Sequence, residues 1–497
     1  METIDFSQPL RQSSKGILII FAFNTFKFFK KFFVLFIAFG VSIMRRKSIG
    51  SLTPTMIILA FLAILIIILI IAILKYLNFK FHISKDDFHL STGILNKDST
   101  IVPKSKIQNV YIKQNFLQQL INVVSVNIET AGDKKSEIEI SALDKPTALL
   151  LKKELYSKAN VESVSISEEL TSEVFFRASP KRLLLEGVSQ NHFKSFAIIF
   201  SFVLGLYYQF EEYIGELKLI DKVEEFVNLD EQTLLNILFL NLVAFLLVMV
   251  LSLLFSVIKT FVINFNLEVV EHQKTVEINK GLFNKVSLSL TPSRIQNLVI
   301  TTNRIKQYFG LFTMSVRQAM VNKKQQNNFN IVALEKQQML HLVQKLLNNY
   351  TFDSNRLKPS IYYVRILILK ALVWVVIINV FAMILSSNAL FWINVLVLPF
   401  ASLYVYMTYK KAHYSITNDF VTIGSGFIDT TTNILEIHKI QAVKLKQSII
   451  QKRRKIASVE ILTASKSVTI PYINENNAKS VYDFLLFKVE SQDRDWM

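Results

Sequence analysis

A glycine followed by a large apolar residue stands thirteen positions before a basic-Ile-Gln triplet three times in this chain. The three copies are Gly93-Ile94 with Lys106-Ile107-Gln108, Gly281-Leu282 with Arg294-Ile295-Gln296, and Gly426-Phe427 with Lys439-Ile440-Gln441. A spacing kept through three copies means that one structural unit has been used three times.

The rest of the chain is unusually apolar. Of the 497 residues 51% are hydrophobic and the mean hydropathy is +0.36, so membrane spans have to be sought before soluble domains. Residues 54 to 74 and 234 to 258 carry no charge and are long enough, as helices, to cross about 30 Å of hydrocarbon. Shorter or less clear runs cover 32 to 44, 195 to 210, 371 to 387 and 390 to 408, the last two with Trp374 and Trp392 as interfacial anchors. Six spans in three pairs are expected. Lys27, Lys30 and Lys31 interleave with Phe26, Phe28, Phe29 and Phe32, a pattern suited to an interfacial segment leading into the bilayer.

The net charge of +18 is distributed in a way that favours a membrane surface over nucleic acid. Residues 211 to 233 hold eight acidic side chains, whereas residues 262 to 350 hold 11 basic against 4 acidic and residues 409 to 490 hold 12 against 7. By the positive-inside rule the repeated units face the cytoplasm and the acidic segment faces out. Arg45-Arg46-Lys47 lies on the side opposed to this rule and makes the first span the least regular. The chain has no cysteine, which excludes disulfides and thiolate metal sites.

Within the first unit, Phe79, Phe81 and Ile83 alternate, a Lys85-Asp86-Asp87 turn follows, and Phe88 to Leu90 leads to Gly93, which is hairpin patterning. Strand-like runs follow at 107 to 112, 124 to 128 and 138 to 140, and then the period changes. Asp144 and Pro146 open a helix with Ala148, Leu149, Leu151 and Leu155 on its stripe. The third unit repeats the order, with strands at 413 to 416, 421 to 423, 443 to 445, 459 to 462 and 468 to 470 and a closing helix from Asn474 to Val489. Each unit therefore reads as a small α+β barrel of roughly 80 residues closed by one helix.

The phrase Ile107-Gln108-Asn109-Val110-Tyr111-Ile112-Lys113-Gln114, with Leu117, Leu120 and Glu129-Thr130-Ala131-Gly132 beyond it, resembles the bacterial pleckstrin-homology-like membrane proteins of the YdbT type. Ser179-Pro180-Lys181-Arg182-Leu183-Leu184-Leu185-Glu186-Gly187 resembles them too. The likeness covers nearly the whole chain and implies a partly open barrel of seven strands, capped at one end by the closing helix. It does not imply phosphoinositide binding, because the loops of such barrels set the ligand. The second unit has two more residues between Gln296 and Ser315 than the first has between Gln108 and Ser125, and the third has Leu462-Thr463-Ala464 without the glycine.

The expected organisation is an N-terminal segment with the first span pair (1–77), a first PH-like domain (78–160), a linker (161–194), a second span pair (195–261) and a second PH-like domain (262–350). A linker with the third pair (351–409), a third PH-like domain (410–490) and a tail (491–497) complete it. Lys106, Arg294 and Lys439 are candidate contacts to phosphate or to an acidic partner, although a basic residue opening a strand needs no ligand. In each triplet the Ile is expected inside and the Gln outside. Lys452, Arg453, Arg454 and Lys455 form the densest basic run in any unit and read either as a solvated loop or as a contact to an acidic protein partner or to anionic lipid, against which four cations are worth roughly 1 kcal/mol each.

Catalytic readings find little support. The seven histidines lack HxxxH or HExxH spacing, and no phosphate-binding glycine loop is present. His82, His89, His413 and His438 fall in strands and read as structural, and Asn236, Asn241, Asn379 and Asn394 read as polar contacts between spans. The expectation is a non-enzymatic, cofactor-free, multi-pass protein of a bacterial cytoplasmic membrane. Its three cytoplasmic domains would scaffold or regulate partners, with anionic lipids and an envelope protein as contacts and no nucleic acid. A transporter or lipid-handling helix bundle is the alternative, and the feature that would favour it, a charge deep within a span, is missing.

Overall fold

A computed structural model of the chain describes residues 5–33, 54–130, 137–156, 173–216, 234–273, 275–318, 329–352, 355–384 and 394–491. Helices α1 (Gly16–Lys31) and α2 (Pro54–Asn78) precede the first repeat. That repeat comprises β1 (Lys80–Ser84), β2 (Asp87–Thr92), β3 (Asp98–Pro103), β4 (Ile107–Gln114), the single-turn helix α3 (Phe116–Leu120), β5 (Val124–Thr130), β6 (Glu137–Leu143) and α4 (Lys145–Tyr156). A connecting strand β7 (Glu173–Arg177) and helix α5 (Pro180–Val188) lead to α6 (Phe193–Glu216) and α7 (Leu234–Asn264). The second repeat follows as β8 (Glu268–Glu271), β9 (Val276–Lys280), β10 (Lys285–Leu290), β11 (Ile295–Thr302), α8 (Arg304–Tyr308), β12 (Phe312–Gln318), β13 (Asn330–Leu334) and α9 (Lys336–Leu346). After α10 (Tyr362–Ile384) and α11 (Asn394–Lys411), the third repeat is β14 (His413–Ile416), β15 (Phe420–Ser425), β16 (Thr430–Glu436), β17 (Ile440–Lys446), α12 (Ile449–Arg453), β18 (Ile456–Thr463), β19 (Ser467–Asn474) and α13 (Glu475–Ser491).

The chain forms two compact units, residues 1–175 with 269–290, and residues 176–268 with 291–497. In the first unit, the sheet β1-β2-β3 faces the strands β4 to β6 across an apolar core. Phe81, Phe88 and Val102 enter that core from one sheet, Val110, Val126, Ile128 and Ile140 from the other, and Ala148, Leu151 and Leu155 from α4. The alternation of period two on the strands and the helical stripe on α4 produce this arrangement, since each buries one face. The second sheet does not stop at β4. Strand β10 of the next repeat pairs with it antiparallel, Lys285 opposite Gln114 and Ser287 opposite Ile112, and the order runs β6-β5-β4-β10-β9-β8-β7.

The second unit repeats the device. The sheet order β13-β12-β11-β16-β15-β14 joins the later strands of the second repeat to the early strands of the third, with Leu298 opposite Ile434 and Thr302 opposite Thr430. The remaining sheet, β17-β18-β19, packs with α13 around Val421, Leu435, Val459, Ile461, Ile470, Ala478 and Leu485. The resemblance implied seven strands and a partly open barrel. The described residues instead give each repeat six strands in two three-stranded halves; the halves that meet at the two internal junctions merge into shared sheets, and β1-β2-β3 and β17-β18-β19 stay three-stranded.

Among the described residues, three helical segments are long and apolar enough to cross a membrane: Ile58–Asn78, Leu242–Asn264 and Tyr362–Val380. Phe193–Leu206 is a shorter apolar helix, and α11 carries Pro399 in its interior. Helix α1 packs on α2, with the rings of Phe29 and Phe61 5.5 Å apart, and α10 packs on α11 around Leu367, Ala371 and Val405. Asn379 and Asn394 exchange amide hydrogen bonds of 2.9 and 2.7 Å between α10 and α11, the polar contact expected of these residues. Most of the first expected span, the acidic segment beyond residue 216 and the side chains of Asn236 and Asn241 lie outside the described residues.

Candidate functional site: the repeated turn and the basic tip

The glycine of each repeat holds a turn that no other residue fits. Gly93, Gly281 and Gly426 have φ of +109°, +111° and +128°, and a Cβ on any of them would collide with the carbonyl oxygen of Asn96, Asn284 or Asp429, three residues on. The triplet closes the next connection. Its basic residue ends a 3-10 turn (Lys104–Lys106, Pro292–Arg294 or Ile437–Lys439), and its isoleucine is at most 3% exposed in all three copies. Its glutamine is a β-bulge: Ile107 lies opposite Thr130 while Asn109 lies opposite Glu129, and the same slip recurs at Gln296 and Gln441. Gln441 points to solvent as expected, but Gln296 is buried.

The pairing also corrects the spacing of the second repeat. Lys113 faces Ser125, Thr301 faces Thr313 and Lys446 faces Ser458, so Thr313, not Ser315, is the counterpart of Ser125 and the second copy has no insertion.

The three triplet cations do not share one environment. Lys106 is exposed and Arg294 half-buried, whereas Lys439 is 3% exposed, donates to the carbonyl of Pro292 at 3.0 Å and pairs with Glu436. In the first repeat the buried lysine is Lys104, 3.3 Å from Glu154 of the closing helix. The charge at Lys439 is thus spent inside the chain, binding the entry to β17 against the 3-10 turn before β11.

Lys452, Arg453, Arg454 and Lys455 are all exposed, at and just after α12. This helix is fixed by a capping box in which Ser448 accepts from the Gln451 amide and Gln451 accepts from the Ser448 amide at 2.6 Å. The Lys455 backbone is left-handed, with φ +52°, which turns the chain into β18. Beside the cations, Ile449 is 79% and Ile450 63% exposed. Four cations flanking two bare isoleucines make an amphipathic tip that can offer apolar area and positive charge to the same surface. In the sequence the basic run stands out and the isoleucines do not, because one helical turn is too short to show a stripe.

The phrase from Ser179 to Gly187 proves structural. Ser179 caps α5 with Pro180 at its first position, and Arg182 pairs with Glu335. At Gly187 a Cβ would stand 2.9 Å from Val257 Cα, so α5 lies directly on the backbone of α7. Glu186 is fully buried and accepts from Lys306 Nζ at 2.5 Å, while Thr313 Oγ1 lies 2.7 Å from that ammonium and 3.0 Å from the carboxylate. This triangle ties α5 to α8 and β12. His82 and His89, facing each other across β1 and β2 with rings stacked at 4.6 Å, and His413, bonded to the Lys411 carbonyl, occupy strands as expected, whereas His438 lies in the 3-10 turn Ile437–Lys439. A groove of about 570 Å³ in the first unit is lined by α1, Lys27, Lys75, Gly93 and Glu139.

Comparison with known proteins places this geometry. The model of the Bacterial PH domain family matches residues 32–159, 223–350 and 364–488, each stretch containing an apolar helix and the repeat that follows it. Transmembrane protein YdbT of Bacillus subtilis strain 168 is 24% identical over 430 residues, covering 82% of this chain and 84% of that protein. The chain belongs to the Bacterial PH domain family.

Proposed function

We propose that this bacterial PH-domain protein is a multi-pass scaffold or regulatory interaction protein, with six spans in three pairs and all three PH-like domains on the cytoplasmic side. The observation that carries the reading is the sharing of sheets between repeats. Strand β4 of the first domain pairs with β10 of the second, and β11 of the second pairs with β16 of the third, so each junction joins two successive domains edge to edge. Pairwise packing of the apolar helices supports the paired spans, and an even number of spans between domains keeps them on one side. The basic balance of the repeats supports the cytoplasmic side. Reporter fusions at Lys135, Lys323 and Lys466 should give the same accessibility, and opposite results at any two would overturn this topology. Proximity labelling from those sites should recover a stoichiometric membrane partner.

The tip at Lys452, Arg453, Arg454 and Lys455 supplies the contact to anionic lipid. Tethering already gives a high local concentration, so a patch of weak intrinsic affinity suffices. With the full chain in vesicles, a cysteine at Ile450 should react slowly with a water-soluble maleimide when the lipid is anionic. The reaction should speed up at high salt or when the four cations become glutamine. Equal rates in neutral and anionic vesicles would show the tip to be a solvated loop.

A further inference from the structure

We infer that β3 of one copy of this chain adds to β17 of a second copy, so that the protein assembles head to tail through the same junction it uses twice internally. This goes beyond the scaffold reading, and its partner is the chain itself. When the triplets are aligned, Gln114, Thr302 and Gln447 occupy one position of the repeat, and Lys97, Lys285 and Thr430 occupy another. In the first internal junction Lys285, Val286 and Ser287 face Gln114, Lys113 and Ile112. In the second, Thr430, Thr431 and Thr432 face Thr302, Thr301 and Ile300. These are the same positions, so one register serves both. Three repeats leave one β3-type edge and one β17-type edge over, and among the described residues β3 and β17 each end their own sheet.

Both leftover strands are bare where their counterparts are covered. Strand β11 is buried at every residue except Thr301, which is half-buried, whereas Gln441, Ala442, Lys444 and Lys446 of β17 are exposed. Asp98 to Ile101 of β3 are exposed as well. An uncovered edge is a template for another strand, and the shared register says which one. It sets Asp98 opposite Lys446, Ser99 opposite Leu445, Thr100 opposite Lys444 and Ile101 opposite Val443, pairing opposite charges at one place and two β-branched residues at another.

A second contact agrees with the first. In the first junction the ring of Phe116 on α3 meets Phe283 edge-on at 6.0 Å, and Gln119 donates to the carbonyls of Leu282 and Phe283 at 3.0 and 2.9 Å. The counterparts of Phe116 and Phe283 at the leftover ends are Ile449 and Leu95, 79% and 96% exposed. Lys452 replaces Gln119 as the donor and would meet the carbonyls of Ile94 and Leu95. Because the two edges differ, the contact is heterologous and builds a ring or a filament, not a twofold dimer.

The chain has no cysteine, so single cysteines report the register cleanly. Directly opposed antiparallel residues lie about 5 Å apart at Cα, within disulfide range. Two differently tagged full-length copies, one S99C and one L445C, co-expressed in membranes and oxidised, should give a cross-linked dimer containing both tags. Pairing S99C with K444C, whose side chain points to the other face, should lose it. A chain carrying both S99C and L445C should give a ladder of multimers. Equal yield from the L445C and K444C pairs, or only internally bridged monomer from the double variant, would overturn the inference. R453Q with R454Q should weaken the lipid contact and leave the cross-link intact, so failure of one reading is separable from failure of the other.

Discussion

Breaking the buried triangle between α5, α8 and β12 gives a prediction whose size follows from burial. Glu186 is wholly buried and Lys306 is 4% exposed, so neither charge can recover hydration when its partner is removed. Glu186→Leu leaves an ammonium beside the Thr313 hydroxyl, and Lys306→Met leaves a carboxylate whose second oxygen, Oε2, already has no hydrogen-bond partner among the described residues. Either single change should cost about 3–5 kcal/mol, the usual loss for an orphaned buried charge. Replacing both at once removes the uncompensated charge and leaves only the Thr313 hydroxyl unsatisfied, at about 1 kcal/mol. The double variant should therefore lie within about 1 kcal/mol of the parent, a coupling of several kcal/mol. In detergent, the apparent Tm of the second unit should fall by roughly 6–15 °C in each single variant and recover in the double. Single variants that melt with the parent, or a double variant as damaged as the sum of its singles, would refute the pairing.

Two further perturbations act on single residues. Burial of Lys280 at the end of β9 pushes its ammonium down to about 8, below the ordinary value of 10.5. The unfolded chain therefore binds more protons between those values, and stability rises with pH from about 8 to 10.5. Lys280→Thr, the residue found at the equivalent Thr92, should remove a penalty of up to about 3 kcal/mol at pH 7 and flatten that rise in thermal scans at pH 7 and pH 10. Lys455 holds a left-handed backbone where the equivalent positions carry Asn122 and Gly310, so Lys455→Gly should relieve about 1 kcal/mol of strain and raise the Tm.

The strands that carry an apolar face were legible in the sequence, the joining strand β4 among them, and strands β3 and β16 were not. Phe81, Ile83, Phe88 and Leu90 announce β1 and β2 because period-two burial needs alternating apolar residues. Strand β3, Asp-Ser-Thr-Ile-Val-Pro, and strand β16, Thr-Thr-Thr-Asn-Ile-Leu-Glu, show no such alternation over most of their length. They are held by backbone pairing, which leaves little mark on side-chain chemistry beyond the threonines that suit an extended chain. The closing helices were visible from their stripes, and the backbone carbonyl of Asp144 accepts the Ala148 amide as the first bond of α4. The serines Ser125 and Ser315 mimic an insertion in the second repeat, but register makes Thr313 the counterpart of Ser125. The partnership of Glu186 with Lys306 spans 120 positions, and no local pattern announces it.

Sharing sheets between repeats separates the unit of sequence from the unit of folding. The boundary drawn at residue 410 follows the third repeat, yet a chain cut there loses the pairing of β16 with β11. It also loses the hydrogen bond from Lys439 to the Pro292 carbonyl and that between Tyr350 and Thr422. The isolated third domain would carry an exposed edge at Thr430 to Ile434 and a buried lysine with one partner fewer, and such an edge recruits any strand it meets. Binding seen with that fragment would therefore report an edge the intact protein covers. The basic tip, the register of β17 and the free edge of β3 have meaning only in the whole chain, where two of the three junctions are already filled from within.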